Sequence, residues 1–161
     1  MRFVASCPFS AVETLEKAKA VLESVDRQAL EGWPSTEDWR RLLPQWFVDR
    51  CAPEESDEET RKRVDAWRKL PREAQWQIEL GREWSLKSWL YWMEPKNRTW
   101  FWWDAASLSE IDHLLIALEI WDWPFPWQSF SWSLRAAGAS SVFEEPLTTG
   151  QSGHPHRPGP S

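Results

Sequence analysis

Few residues in this chain have the type and spacing to do chemistry, and they cluster around tryptophan. Asp104 closes the run Arg98-Thr99-Trp100-Phe101-Trp102-Trp103-Asp104, and Asp122 sits inside Trp121-Asp122-Trp123. If the two runs form a hairpin, their carboxylates could approach one another, the minimum arrangement for acid–base work. The alternative role for both is local, as acceptors for turn backbone or indole N–H groups. His113 is the only histidine before the C-terminal tail, with Glu110 and Asp112 just upstream. No second histidine or cysteine lies at metal-ligand spacing, so neither a metal nor another cofactor is expected. Cys7 and Cys51 are too few for a disulfide scaffold, and Cys51 falls at a helix end, where the dipole raises a thiol pKa. Only Gly32, Gly81 and Gly138 precede the tail, and there is no G-x-S-x-G elbow, so neither a phosphate-cradling loop nor a serine-hydrolase motif is present.

The stronger signal is aromatic. Fifteen of the 161 residues are tryptophan and one is tyrosine. Indole is the largest apolar side chain and needs an N–H partner once buried. Such a chain either builds a bulky core or offers flat aromatic surface to a ligand or partner. Trp100, Trp102, Trp121, Trp123 and Trp127 are the candidate platform. Neighbours along a strand face opposite sides, so Trp100 and Trp102 cannot share a face with Phe101 and Trp103.

Charge narrows the classes further. The formal net charge is −6, and no basic stripe is visible, which argues against nucleic acid. An acidic segment holds Asp49, Glu54, Glu55, Asp57, Glu58 and Glu59 and is followed by Arg61, Lys62 and Arg63. It reads either as a self-solvating helix start or, through Glu54, Glu55 and Glu58, as a patch for a basic partner protein. No stretch reaches the roughly 20 apolar residues that span a membrane. Val4-Ala5-Ser6-Cys7 has the outline of a lipoprotein cleavage box, but only three apolar residues precede Ser6, which argues against a signal. The expected location is cytoplasmic.

The elements that must position these residues follow from periodicity and caps. Ser10 and Glu13 open a helix whose stripe is Val12, Leu15, Ala18, Leu22, Val25 and Ala29, with Gly32 as its stop. Ser35 or Thr36 caps a second helix, Pro44 starts a short third one to Cys51, and Ser56 with Glu59 opens a fourth to about Leu70. Pro71 to Leu80 fits a helix or a strand, with helix favoured because Gly81 stands where a terminating residue belongs. Ser85 caps a short helix ending before Pro95. Beyond it, Trp100–Trp103 is expected as a strand, Ala105–Glu110 as a turn, and His113–Trp123 as the returning strand, although Ile111, Leu114, Leu115 and Leu118 also fit a helix stripe. Ser129–Ala137 is expected as a helix ended by Gly138, and Ser141–Glu144 as a last short strand.

The expected fold is therefore α+β. A helical N-terminal two-thirds precedes a small, mostly antiparallel sheet made of a hairpin, one helix packed on it and a short strand. Residues 1–145 form one globular domain, and 146–161, rich in Pro, Gly, Ser and His, a disordered tail. The expected function is a non-enzymatic protein-interaction module, with the profile of an acidic immunity- or antitoxin-type inhibitor of a basic protein. The alternative is a carbohydrate- or nucleobase-binding domain built on the tryptophan platform. A third reading is an enzyme using Asp104, Asp122 or His113.

Overall fold

Arg2–Ser6 form a strand, β1, at the centre of a four-stranded antiparallel sheet in a computed structural model. The structure describes residues 1–108, 112–123 and 125–145, with the backbone alone at Trp103 and Leu108. Glu110, Ile111 and the expected disordered tail, 146–161, lie outside the described residues. β1 is followed by α1 (Ala11–Glu31), α2 (Thr36–Leu42), α3 (Gln45–Arg50), α4 (Asp57–Arg68), α5 (Arg72–Gly81) and α6 (Leu86–Met93). Then come β2 (Trp100–Leu108), β3 (His113–Ile120), α7 (Trp127–Ala137) and β4 (Ser141–Glu144).

The α+β class holds, with the N-terminal part helical and the sheet antiparallel. The strand order is β2-β3-β1-β4. Setting aside α2–α6, the chain runs β-α-β-β-α-β, the order of the split βαβ or ferredoxin-like motif. Two helices, α1 and α7, cover the sheet, not one, and they also pack on each other. The helices inserted between α1 and β2 form a further layer, with α3 and α6 against α7.

β1 was absent from the expected elements. Phe3, Ala5 and Cys7 alternate inward and are buried, but three residues at a chain start carry little periodic signal. What stabilises them is pairing with Leu114–Ala117 on one side and Ser141–Glu144 on the other, more than 100 residues away. β2 also runs past the expected turn at Ala105. Ala105–Leu108 stay paired with Ile116–His113, and a bulge between Trp102 and Asp104 absorbs one residue. The bulge keeps Ala105 and Ser107 in register opposite the inward-facing Ile116 and Leu114. β3 has the expected alternation, with Leu114, Ile116 and Leu118 buried, and it ends at Ile120, three residues early.

The caps behave as their chemistry requires. Ser10, Ser35, Ser56 and Ser85 each accept a hydrogen bond from the N–H three residues on, and at Ser56 the Glu59 carboxylate completes the box. Pro44 takes the N-cap of α3 and not its first turn. Segment 71–80 is helical, but Gly81 is not its stop: Gly81 is the last helical residue, and Arg82 caps it in an extended conformation. Gly32 and Gly138, with φ of 114° and 133°, are the terminators that need glycine.

The core lies between the sheet and α7 and continues between α7 and the inserted helices. Trp39, Trp89, Trp100 and Trp132 are fully buried within it, each such burial stabilising by about 1.5–3 kcal/mol. α7 is enclosed on nearly every side, and Ser129, Ser131 and Ser133 are buried along with Phe130, Trp132 and Leu134. These small side chains let neighbouring helices come close. Ser129 Oγ donates to the Pro126 carbonyl, and Ser133 Oγ to that of Ser129.

Candidate functional site

Along β4, the last strand of the sheet order, lies a cleft of about 720 Å³. Its walls come from four places: Phe3 of β1, Trp76 to Gly81 of α5, Trp127, Ser131 and Arg135 of α7, and Ser140 to Glu144. Trp123 and Phe125, on the segment from β3 to α7, close one end. Volumes of this size and mainly apolar walls are usual for small-ligand sites.

The aromatic walls are ordered by mutual packing. Trp127 stacks on Phe3 at 6.5 Å with the rings 16° apart, and Trp76 leans on Trp127 at 5.5 Å. Phe125 meets Phe3 edge-on, and Trp123 meets Phe125. Trp76 and Phe143, both half-exposed, line the cleft, as does Trp123, 66% exposed. At the other end the guanidinium of Arg135 donates to the Arg82 carbonyl and lies 5.4 Å from the Trp132 ring centre. Burial holds the Arg135 pKa below its ordinary value, with Glu83 opposing at longer range.

The five tryptophans expected to form one platform are divided. Trp100 is fully buried, edge-on to Phe125 and Phe130, and Arg98 caps its ring at 4.4 Å. Trp102 is partly buried on the same side against Phe130. Trp121, 51% exposed, pairs with Phe101 at 4.5 Å, well out of the core. Trp123 and Trp127 belong to the cleft. Trp76, Phe143 and Arg135 were not among the expected site residues. Trp76 was hidden by the helix-or-strand ambiguity of its segment, and Arg135 looks in sequence like any last-turn basic residue.

Asp104, Asp122 and His113 are not brought together. Asp104 pairs with Ala117, and Asp122 lies five residues further along the chain, on the order of 15 Å away at strand rise. Each instead accepts a 2.8 Å hydrogen bond from the next backbone N–H. His113 stands at the other end of β3, where its Nε2 lies 3.2 Å from Ser6 Oγ across the strand pair. Both cysteines are free thiols. The Cys51 pKa is pushed up to about 11 by burial first and by Glu54 second. Among the described residues no group of three His, Cys, Asp or Glu side chains converges as metal ligands do. No helix among them is long and apolar enough to cross a membrane.

Three carboxylates of the acidic segment, Glu54, Glu55 and Glu58, are paired within the chain. Glu54 lies 3.6 Å from Arg40 and accepts from the Lys87 backbone N–H, Glu55 holds Arg63 Nε at 2.9 Å, and Glu58 pairs with Lys62 at 2.7 Å. Such exposed pairs contribute little stability, but they offset the charge of these three carboxylates toward a basic partner.

Comparison with known proteins leaves the site to speak for itself: no protein-family model, no curated protein and no solved structure matches this chain.

Proposed function

We propose that the protein is a non-enzymatic binding module that holds the apolar part of a small ligand in the cleft between α5, α7 and β4. The observation that carries this reading is the cleft's construction: about 720 Å³ walled by Phe3, Trp76, Trp123, Trp127 and Phe143. A fold of this class says nothing of function by itself, so the reading rests on the concave aromatic site alone. Stacking on such rings contributes about 1–3 kcal/mol per contact for flat ligands, and the same walls take aliphatic chains by area burial. Titration of the purified protein with sugars, nucleosides and apolar acids should quench or shift tryptophan fluorescence along a saturable curve. Trp76→Ala and Trp127→Ala should weaken that binding, while Phe101→Ser, remote from the cleft, leaves it unchanged. Flat curves for every probe overturn the reading.

A protein-interaction role is supported by a different observation. Phe101 and Trp121 form an exposed aromatic pair outside the cleft, of the kind that anchors protein interfaces. Affinity capture from the source cell with wild-type protein and a Phe101→Ser/Trp121→Ser variant tests it. A partner retained equally by both would remove these residues from that role.

A further inference from the structure

We infer that the ligand of this cleft is a free carboxylic acid with an apolar body of medium length, its carboxylate held by Arg135 and Ser131 and its body lying toward Trp76 and Trp127. The inference rests on the small-ligand reading and names the class of ligand.

The cleft has two chemically different ends. α5 and α7 run alongside it in the same sense: Trp76, midway along α5, meets Trp127 at the start of α7, and Arg135 near the end of α7 bonds the carbonyl of Arg82, which caps α5. The aromatic end and the cationic end are therefore separated by the helix length from Trp127 to Arg135, about 12 Å at 1.5 Å per residue. A medium acyl or arylalkyl chain covers that span.

Arg135 differs from the other described arginines in being partly buried without a near carboxylate: Arg27, Arg50, Arg61 and Arg72 also have none within 4.0 Å among the described residues, but they are exposed. Arg2, Arg40, Arg41, Arg63, Arg68, Arg82 and Arg98 each have a carboxylate within 4.0 Å. Arg135 has none among the described residues, although it is partly withdrawn from water and its Nε is buried without a hydrogen-bond partner. Glu83 opposes that burial only at longer range, so a carboxylate meeting the remaining N–H groups of Arg135 would relieve the cost with charge-assisted hydrogen bonds.

Ser131 supplies the second polar group. It is 5% exposed, lies one helical turn before Arg135 and lines the same wall. Its buried neighbours Ser129 and Ser133 both donate to backbone carbonyls, whereas the Ser131 hydroxyl has no partner among the described residues. The acidic group of the cleft, Glu144, lies three residues along β4 from Ser141, about 10 Å at strand rise. It pairs with Phe3, at the aromatic end, so it does not oppose an anion at Arg135.

Calorimetric and fluorescence titration with decanoate and decanol, on the full chain below their aggregation limits, tests this. The expected result is decanoate tighter than decanol by roughly tenfold to a hundredfold, as for a hydrogen bond to a charged group, with the preference shrinking as salt rises. Arg135→Gln should abolish the preference and Arg135→Lys should retain part of it. If Arg135→Gln fails to fold, the wild-type preference, its salt dependence and Arg135→Lys still decide the matter. Equal binding of acid and alcohol, with saturable curves for both, overturns the carboxylate assignment and leaves the cleft reading standing. Saturable binding of a sugar or nucleoside alone does the same. No binding of any probe overturns both.

Discussion

Between α6 and α7, Trp89 is fully buried, its ring 4.7 Å from that of Phe47, its N–H held by the Ser129 carbonyl at 3.2 Å and by Ser133 Oγ at 3.0 Å. At the rim of the cleft, Trp123 has Phe125 beside it and water over most of its surface. The difference is not in the residue but in what the topology sets around it. The inserted helices must close on α7, and Trp89 is the side chain that reaches across. The segment from β3 to α7 runs along the mouth of the cleft, and Trp123 is left 66% exposed there. A tryptophan-rich composition therefore carries two messages, and only the packing separates them.

The largest expected effect tests that separation directly. Trp89→Ala should destabilise the protein by about 3–5 kcal/mol, the cost of truncating a large buried ring. Trp123→Ala should stay within about 0.5 kcal/mol of wild type, as exposed sites do. Urea unfolding midpoints at a constant m-value measure both. Similar losses at the two positions would mean that Trp123 is packed as core and would take away the rim of the cleft.

The same contrast explains what could be read from sequence. Local chemistry was legible: the capping serines Ser10, Ser35, Ser56 and Ser85, the stop at Gly138, and the Leu114-Ile116-Leu118 alternation each carry their signal within a few residues. The α+β class follows from those pieces. β1 was not legible, because Phe3 and Ala5 become a central strand only through partners at Leu114–Ile116 and Val142–Glu144. The cleft was legible in part. Trp123 and Trp127 stand out by type, but Trp76, Phe143 and Arg135 are marked only by their convergence from three distant elements. Gly81 misled as a stop signal, since a glycine can end a helix within its last turn without adopting a positive φ.

A smaller effect separates the buried inserted layer from solvent by pH. Cys51 lies against this layer, and burial raises its pKa from the ordinary 9.0 to about 11. The folded state thus favours the neutral thiol. Its contribution is fully present below pH 9.0, the unfolded value, and is lost progressively as pH rises to about 11. Cys51→Ala should flatten that part of the alkaline stability curve. The Cys51 thiol should also react slowly with iodoacetamide at pH 8 until the protein is unfolded. Rapid alkylation in the native state would place the α3–α6 contact nearer to the open cleft in character.

The smallest effect is confined to one helix and bears on the cleft most closely. Ser133→Ala removes one of the two acceptors of the Trp89 N–H and a bond to the Ser129 carbonyl, and should cost about 1 kcal/mol. Ser131→Ala removes a hydroxyl with no partner among the described residues. With alanine's better helix propensity, that variant should be neutral or more stable by up to about 0.5 kcal/mol. Both serines are buried on α7 two residues apart, so helix position and burial are matched, and the hydrogen bonds differ. Thermal unfolding of the two variants without ligand measures the contrast. A loss of about 1 kcal/mol at both positions would mean that Ser131 is already satisfied within the fold, leaving Arg135 as the sole polar anchor of the cleft. A loss at Ser133 alone leaves the Ser131 hydroxyl open for what the cleft holds.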